Sequence, residues 1–192
     1  LSPGKTALAQ LRLTRAVAAL PRDSFVVTPM NRNSVVAGGH ILEIPKRKFR
    51  GANAEATLPL LGALQHKDLD AYVQGIFDNT SDRLISAAQL AAKTGMPRLE
   101  FERRISAKVQ KGEWVYVKGH GAIAKNQFEG FVNKFDTAVG RIFRHAPMKK
   151  HVMLAEVAER LGGRVDRALV HVAADTLCEN GDLIRLEGGL RP

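Results

Sequence analysis

The period of apolar and polar positions changes along this chain, and the change divides it. Over residues 7–44 the pattern is that of short strands. Ala7-Leu8-Ala9-Gln10-Leu11-Arg12-Leu13 ends in alternation, Ser24-Phe25-Val26-Val27 is a short β-rich run, and Val35-Val36-Ala37-Gly38-Gly39-His40-Ile41-Leu42 is another. Pro21-Arg22-Asp23 and Pro29-Met30-Asn31-Arg32-Asn33 punctuate them as turns. Gly38-Gly39 inside a strand predicts a bulge or a close backbone crossing. Three strands are too few for an independent barrel, so this stretch is expected to be the end of a larger β-domain.

The period then becomes helical. From Leu58 to Phe77 apolar residues recur at Leu61, Leu64, Leu69, Tyr72, Val73 and Ile76, which predicts one helical run weakened by Gly62 and Gly75. Ser86 stands as an N-cap with Gln89 three residues on, which predicts a short helix over 87–93 stopped by Gly95 and Pro97. A longer helix is predicted over 98–111, stopped by Gly112, with Leu99, Ile105 and Val109 facing inward. Trp114-Val115-Tyr116-Val117, a turn at 118–121 and Ala122-Ile123-Ala124 read as a hairpin.

The same order recurs. Residues 126–144 are helical by period, 154–161 form a short helix stopped by Gly162-Gly163, and 166–179 form a longer one with Asp166 as N-cap. A second hairpin follows, from Leu183 to Leu190. Leu90 pairs with Val157 and Gly95 with Gly162; Gly112 pairs with Gly181, Trp114 with Leu183 and Gly119 with Gly188. The repeat is about 68 residues, the size of a small domain. Helix, short helix, long helix and hairpin is the winged-helix order. The expected fold class is therefore α+β: partial β-barrel strands over 1–45, a basic linker over 46–57, and tandem winged-helix domains over 58–125 and 126–192.

Composition narrows the function. The chain has 192 residues, 45% of them hydrophobic and 25% charged, an ordinary globular balance. Its apolar runs are far shorter than the ~20 residues of a membrane-spanning helix, so no membrane partner is expected. One cysteine, Cys178, suits a reducing compartment and a cytoplasmic location, and predicts a buried, inert thiol. The start, Leu1-Ser2-Pro3-Gly4-Lys5, lacks a Met and a cleavage signature, as expected of a piece of a longer protein. Lysine and arginine number 29 against 19 acids, a formal charge of +10, which favours a polyanionic partner. Nine bases and two acids fall in residues 1–50, and the densest cluster is Lys46-Arg47-Lys48-Phe49-Arg50.

The candidate chemistry is binding, not catalysis. Gly4-Lys5-Thr6 imitates the end of a phosphate-binding loop, but a β pattern follows where a helix N-terminus is needed. The six histidines show no metal-ligand spacing, and no carboxylate pair or nucleophile–base arrangement stands out, so no catalytic residue, metal or cofactor is expected in this stretch. The first long helix carries Arg98, Arg103, Arg104, Lys108 and Lys111 against Glu100 and Glu102, with Arg104 and Lys108 on one outer face and Lys118 in the wing. Together with Lys46, Arg47, Lys48 and Arg50, residues Arg98, Arg103, Arg104, Lys108 and Lys118 are the candidate RNA-binding set. A plain solvated face explains the same residues. The second long helix holds Arg167 against Asp166, Asp175 and Glu179, a face that repels phosphate.

In this order, the segments resemble the selenocysteine-specific translation elongation factors of bacteria. Leu8-Ala9-Gln10-Leu11-Arg12-Leu13 is similar to a strand of the third domain in elongation-factor-Tu-like GTPases. Leu20-Pro21-Arg22-Asp23-Ser24-Phe25-Val26-Val27 resembles that family's Leu-Pro-Gly-Asp-x-Phe-Val segment. Ala37-Gly38-Gly39-His40-Ile41-Leu42 resembles its closing glycine-rich strand, and His145-Ala146-Pro147 the His-x-Pro link before the second helix pair. Thr28-Pro29-Met30-Asn31 departs from the family's Arg-Asp-centred turn, and Ala37 stands where a third glycine is common. The resemblance implies a GTPase that uses GTP and magnesium in an N-terminal domain outside this stretch. That protein delivers selenocysteinyl-tRNA to the ribosome at recoded UGA codons and is recruited by an mRNA hairpin. This stretch is then the arm between the tRNA-carrying body and the hairpin-reading tip, expected to be monomeric and non-catalytic. The alternatives are a tandem winged-helix DNA-binding regulator, which leaves residues 7–44 unexplained, and a protein-interaction arm without a nucleic-acid role.

Overall fold

The computed structural model describes residues 4–31, 34–45, 51–162 and 165–192. Among these residues it is a mixed α+β structure of seven helices and three two-stranded antiparallel sheets. The sheets pair β1 (Ser24–Val27) with β2 (Ala37–His40), β3 (Trp114–Val117) with β4 (Gly121–Ala124), and β5 (Ile184–Leu186) with β6 (Gly189–Arg191). The helices are α1 (Ala52–Gln65), α2 (Leu69–Asp78), α3 (Ala87–Thr94), α4 (Arg98–Gln110), α5 (Lys125–His145), α6 (Leu154–Arg160) and α7 (Arg167–Glu179). The chain divides into two compact units, Leu1–Asn79 with Ala88–Phe101, and Thr80–Ala87 with Glu102–Pro192.

In the first unit β1 and β2 pair with Phe25 opposite Gly39 and Val26 opposite Gly38. The paired glycines have a plain cause. A Cβ on Gly39 would lie 2.9 Å from the Phe25 ring, so glycine lets the aromatic ring rest on the neighbouring strand. Residues 7–13, expected as a strand, are not one: they make no ladder and are exposed throughout. Alternation by itself makes no strand; a ladder also needs a neighbouring strand to pair with. Among the described residues no closed barrel forms.

The single helical run expected over 58–77 is two helices. His66 ends α1, Lys67 takes φ 58°, and the Asp68 side chain accepts a hydrogen bond from Ala71 N at 3.0 Å to cap α2. Gly75, a helix-weakening residue, has a packing reason. A Cβ there would come within 2.5 Å of Leu60 Cδ2, so its absence lets α1 and α2 pack together. Tyr72, Val73, Phe77, Leu90 and Phe101 are buried in this unit. The α3–α4 turn is docked on the β-segment: Gly95, at φ +66°, would place a Cβ 2.7 Å from the Pro21 carbonyl oxygen, and Lys93 pairs with Glu43 at 3.3 Å. Thr94, the one buried polar residue among those described, donates to Leu90 O at 2.8 Å and accepts from Met96 N.

The second unit holds a contiguous core. Phe128, Phe131, Phe135, Val139 and Ile142 of α5 meet Val157 of α6, Leu169, Val170, Ala173 and Leu177 of α7, and Leu183 and Leu190 of the last hairpin. Leu84, Val117 and Ile123 belong to the same core, so one face of the β3–β4 hairpin packs on α5. Asp166 caps α7, accepting from Ala168 N at 3.0 Å, as the sequence predicts. Cys178 is partly buried against this core.

The internal repeat is geometric as well as sequential. Ile85 and Ala122 exchange two 2.9 Å backbone hydrogen bonds, and so do Val152 and Leu190. Each bridge fastens a residue two positions before a short helix to the second strand of the following hairpin. The glycine before each partner is required by that crossing. A Cβ on Gly121 would lie 2.5 Å from Ile85 O, and one on Gly189 would strike Val152 O. The long helices match residue for residue, Arg98–Gln110 with Arg167–Glu179, at an offset of 69.

Candidate nucleic-acid interface

The basic residues of α4 do not share one environment. Arg98, the first residue of the helix, and Arg103 are exposed. Arg104 and Lys108, expected together on an outer face, are half-buried instead. Lys108 Nζ holds Glu113 Oε2 at 2.5 Å, and this hydrogen bond keeps the Glu113 carboxyl below the usual carboxylate range. Of the residues expected to face inward, Ile105 is buried and Val109 half-buried, but Leu99 is 54% exposed. Phe101 takes the deep position, fully buried. The difference is one of phase: the outward stripe of α4 runs through Leu99, Arg103, Ser106, Ala107 and Gln110, at helical spacing.

Lys118 is exposed in the turn between β3 and β4, beside Gly119 at φ 79°. Lys111 is exposed just past the end of α4. Arg103, Arg104, Lys108 and Lys118 belong to the second unit, whereas Arg98 falls in the first. Lys46, Arg47, Lys48 and Arg50 lie outside the described residues.

The second copy shows which of these charges are specific to the first. At the 69-residue offset Arg103 corresponds to Val172, Arg104 to Ala173, Lys108 to Leu177 and Lys118 to Glu187. Ala173 and Leu177 are buried, and Val172 packs against the core. Positions that carry cations on α4 therefore carry core on α7. The exposed Asp175 of α7 is paired with Arg185 at 2.6 Å. Of the matching helices α4 and α7, only α4 offers phosphate a net positive, solvent-facing surface. Its N–H donors and guanidinium groups suit phosphate oxygens, which need no base-specific geometry.

Sequence reasoning missed the Glu113–Lys108 pair, although Glu113 follows the helix stop by one residue. It also missed the exposure of Leu99. Among the described residues no group of three or more His, Cys, Asp or Glu side chains is placed to hold a metal ion. No helix among them is long and apolar enough to cross a membrane.

Fold and surface together define an α+β chain with a duplicated helix–hairpin unit, one copy of which presents a basic helix. No protein-family model matches the chain. Over 98% of its length it is similar to the selenocysteine-specific elongation factor of Desulfomicrobium baculatum, at 25% identity across 211 aligned positions. The relationship is distant, and the chain spans 31% of that protein's length.

Proposed function

We propose that this chain is the arm of a translation elongation factor that delivers selenocysteinyl-tRNA to the ribosome at recoded UGA codons. The observation that carries the reading is the similarity to such a factor across 98% of the chain, β-segment and both helix–hairpin copies included. In this reading each copy is a winged helix, with α3–α4 and α6–α7 as its helix pairs and the hairpins as wings. The arm catalyses nothing; GTP and magnesium are handled by a domain beyond this stretch, and the mRNA hairpin by further units. Arg98, Arg103 and Lys118, with the basic run 46–50, contact tRNA or ribosomal RNA through phosphates. Such contacts tolerate sequence, because the deep, narrow major groove of A-form RNA excludes side chains.

The reading is tested by fluorescence anisotropy with labelled tRNA and with duplex DNA across a salt series. Arm-type binding favours tRNA, and log affinity falls by roughly 0.7–0.9 per unit log salt for each phosphate contact. Arg103→Glu combined with Lys118→Glu weakens it at least about tenfold, because phosphate contacts become repulsions. Affinity equal for tRNA and DNA, or untouched by the double reversal, overturns the proposal.

A further inference from the structure

The two hairpins of the repeat differ in what covers them. In the first, Val115, Val117 and Ile123 point to one face, since Val115 pairs with Ile123 and Val117 with Gly121. That face is closed: Val117 and Ile123 lie in the core under α5, and Val115 packs against it. In the second hairpin the corresponding positions are Ile184, Leu186 and Arg191, with Ile184 opposite Arg191 and Leu186 opposite Gly189. The inner faces match too, for Trp114 and Leu183 are both buried, as are Ala122 and Leu190. Yet Ile184 is 58% exposed and Leu186 42% exposed. Two large apolar side chains stand open on the face that, one copy earlier, is sealed by a helix.

We infer that the outer face of the β5–β6 hairpin is a docking surface for an amphipathic helix bearing an aromatic ridge, the counterpart of α5. The interface already formed within the chain shows the occupant's chemistry. Phe128, Phe131 and Phe135 recur at i, i+3 and i+7 on α5, in the core that seals the β3–β4 face. The second face is not a copy in one respect. Arg191 replaces the fully buried Ile123, so the occupant carries a carboxylate there, whereas α5 itself meets an isoleucine. This inference is independent of the RNA reading.

The test uses the full chain and a capped, fluorophore-labelled peptide of residues 125–145, its helicity checked by circular dichroism. The peptide is expected to bind saturably, and Ile184→Asp with Leu186→Asp to weaken it at least tenfold. Both positions are exposed, so the double variant keeps the wild-type melting temperature. Arg191→Ile, which recreates the first hairpin's face, is expected to tighten binding several-fold, and a peptide with all three phenylalanines changed to serine not to bind. Absence of binding by the helical peptide to both wild type and Arg191→Ile overturns the inference, as does binding unchanged in the double aspartate variant. Sedimentation equilibrium covers the other occupant: self-association abolished by Ile184→Asp with Leu186→Asp makes a second copy of the chain the partner and sinks the helix-docking assignment.

Discussion

Tyr72 is fully buried, and its hydroxyl has no hydrogen-bond partner among the described residues. Burial, reinforced by the nearby Glu43 charge, pushes its ionisation well above the usual phenol range. A phenol that resists ionisation in the fold but ionises normally when unfolded leaves the fold's stability intact below about pH 10. That stability is lost as pH rises further, because the unfolded chain then binds fewer protons than the folded one. Tyr72→Phe removes both penalties; it is expected to raise stability by about 0.5–1 kcal/mol in urea denaturation and to flatten the loss above pH 10. A destabilised Tyr72→Phe would show that the hydroxyl has a partner after all.

Gly121 and Gly189 illustrate a different constraint. Each sits where a crossing strand's carbonyl occupies the space of a Cβ, and Gly121 also has φ +139°, which L side chains rarely adopt. Alanine at either position is expected to cost about 2 kcal/mol or more, with thermal melting as the readout. At Glu113 the sign runs opposite to Tyr72. Lys108 holds the folded-state carboxyl low, so the contribution is present above the ordinary carboxylate range and fades as pH falls through the lowered value. In Lys108→Ala the Glu113 carboxyl, followed by NMR, is expected to titrate closer to its ordinary range. Since Lys108 is already paired, that variant is also expected to weaken tRNA binding less than Arg103→Ala.

Elements succeed or fail by what terminates them. Helices α3, α4, α6 and α7 are legible because each has a local stop: Gly95 and Pro97, Gly112, Gly162, Asn180-Gly181. The break between α1 and α2 carries a local signal as well. Asp68 stands before Leu69 as an N-cap, and only the continuity of the leucine pattern across His66-Lys67 conceals it. Asp68→Ala and Asp166→Ala are each expected to cost about 1 kcal/mol, the usual worth of an N-cap, measurable by chemical denaturation. Residues 7–13 are the opposite case. Their alternation is real, yet a strand exists only where a neighbour takes up its hydrogen bonds, and nothing local specifies that neighbour.

On the scale of the whole molecule, the hairpin of the first copy closes the core of the second. Residues 126–192 expressed alone would leave Phe128 and Phe131 without Leu84, Val117 and Ile123. That piece is expected to be less stable than the same region in the full chain by about 3 kcal/mol or more, seen as a lower, broader calorimetric transition. The chain's positive charge acts at this scale too, since long-range attraction to polyanions depends on net charge more than on any single pair. The arrangement of elements, the repeat and the caps follow from residues acting on neighbours three or four positions away, where a side chain's reach and the helix period set the outcome. The phase of α4 that exposes Leu99 and half-buries Arg104, the ring-on-glycine contact at Phe25 and the sealing of one hairpin but not the other were decided only by tertiary packing. Each depends on which surfaces meet across tens of residues, and burial is a property of that meeting, not of the local pattern.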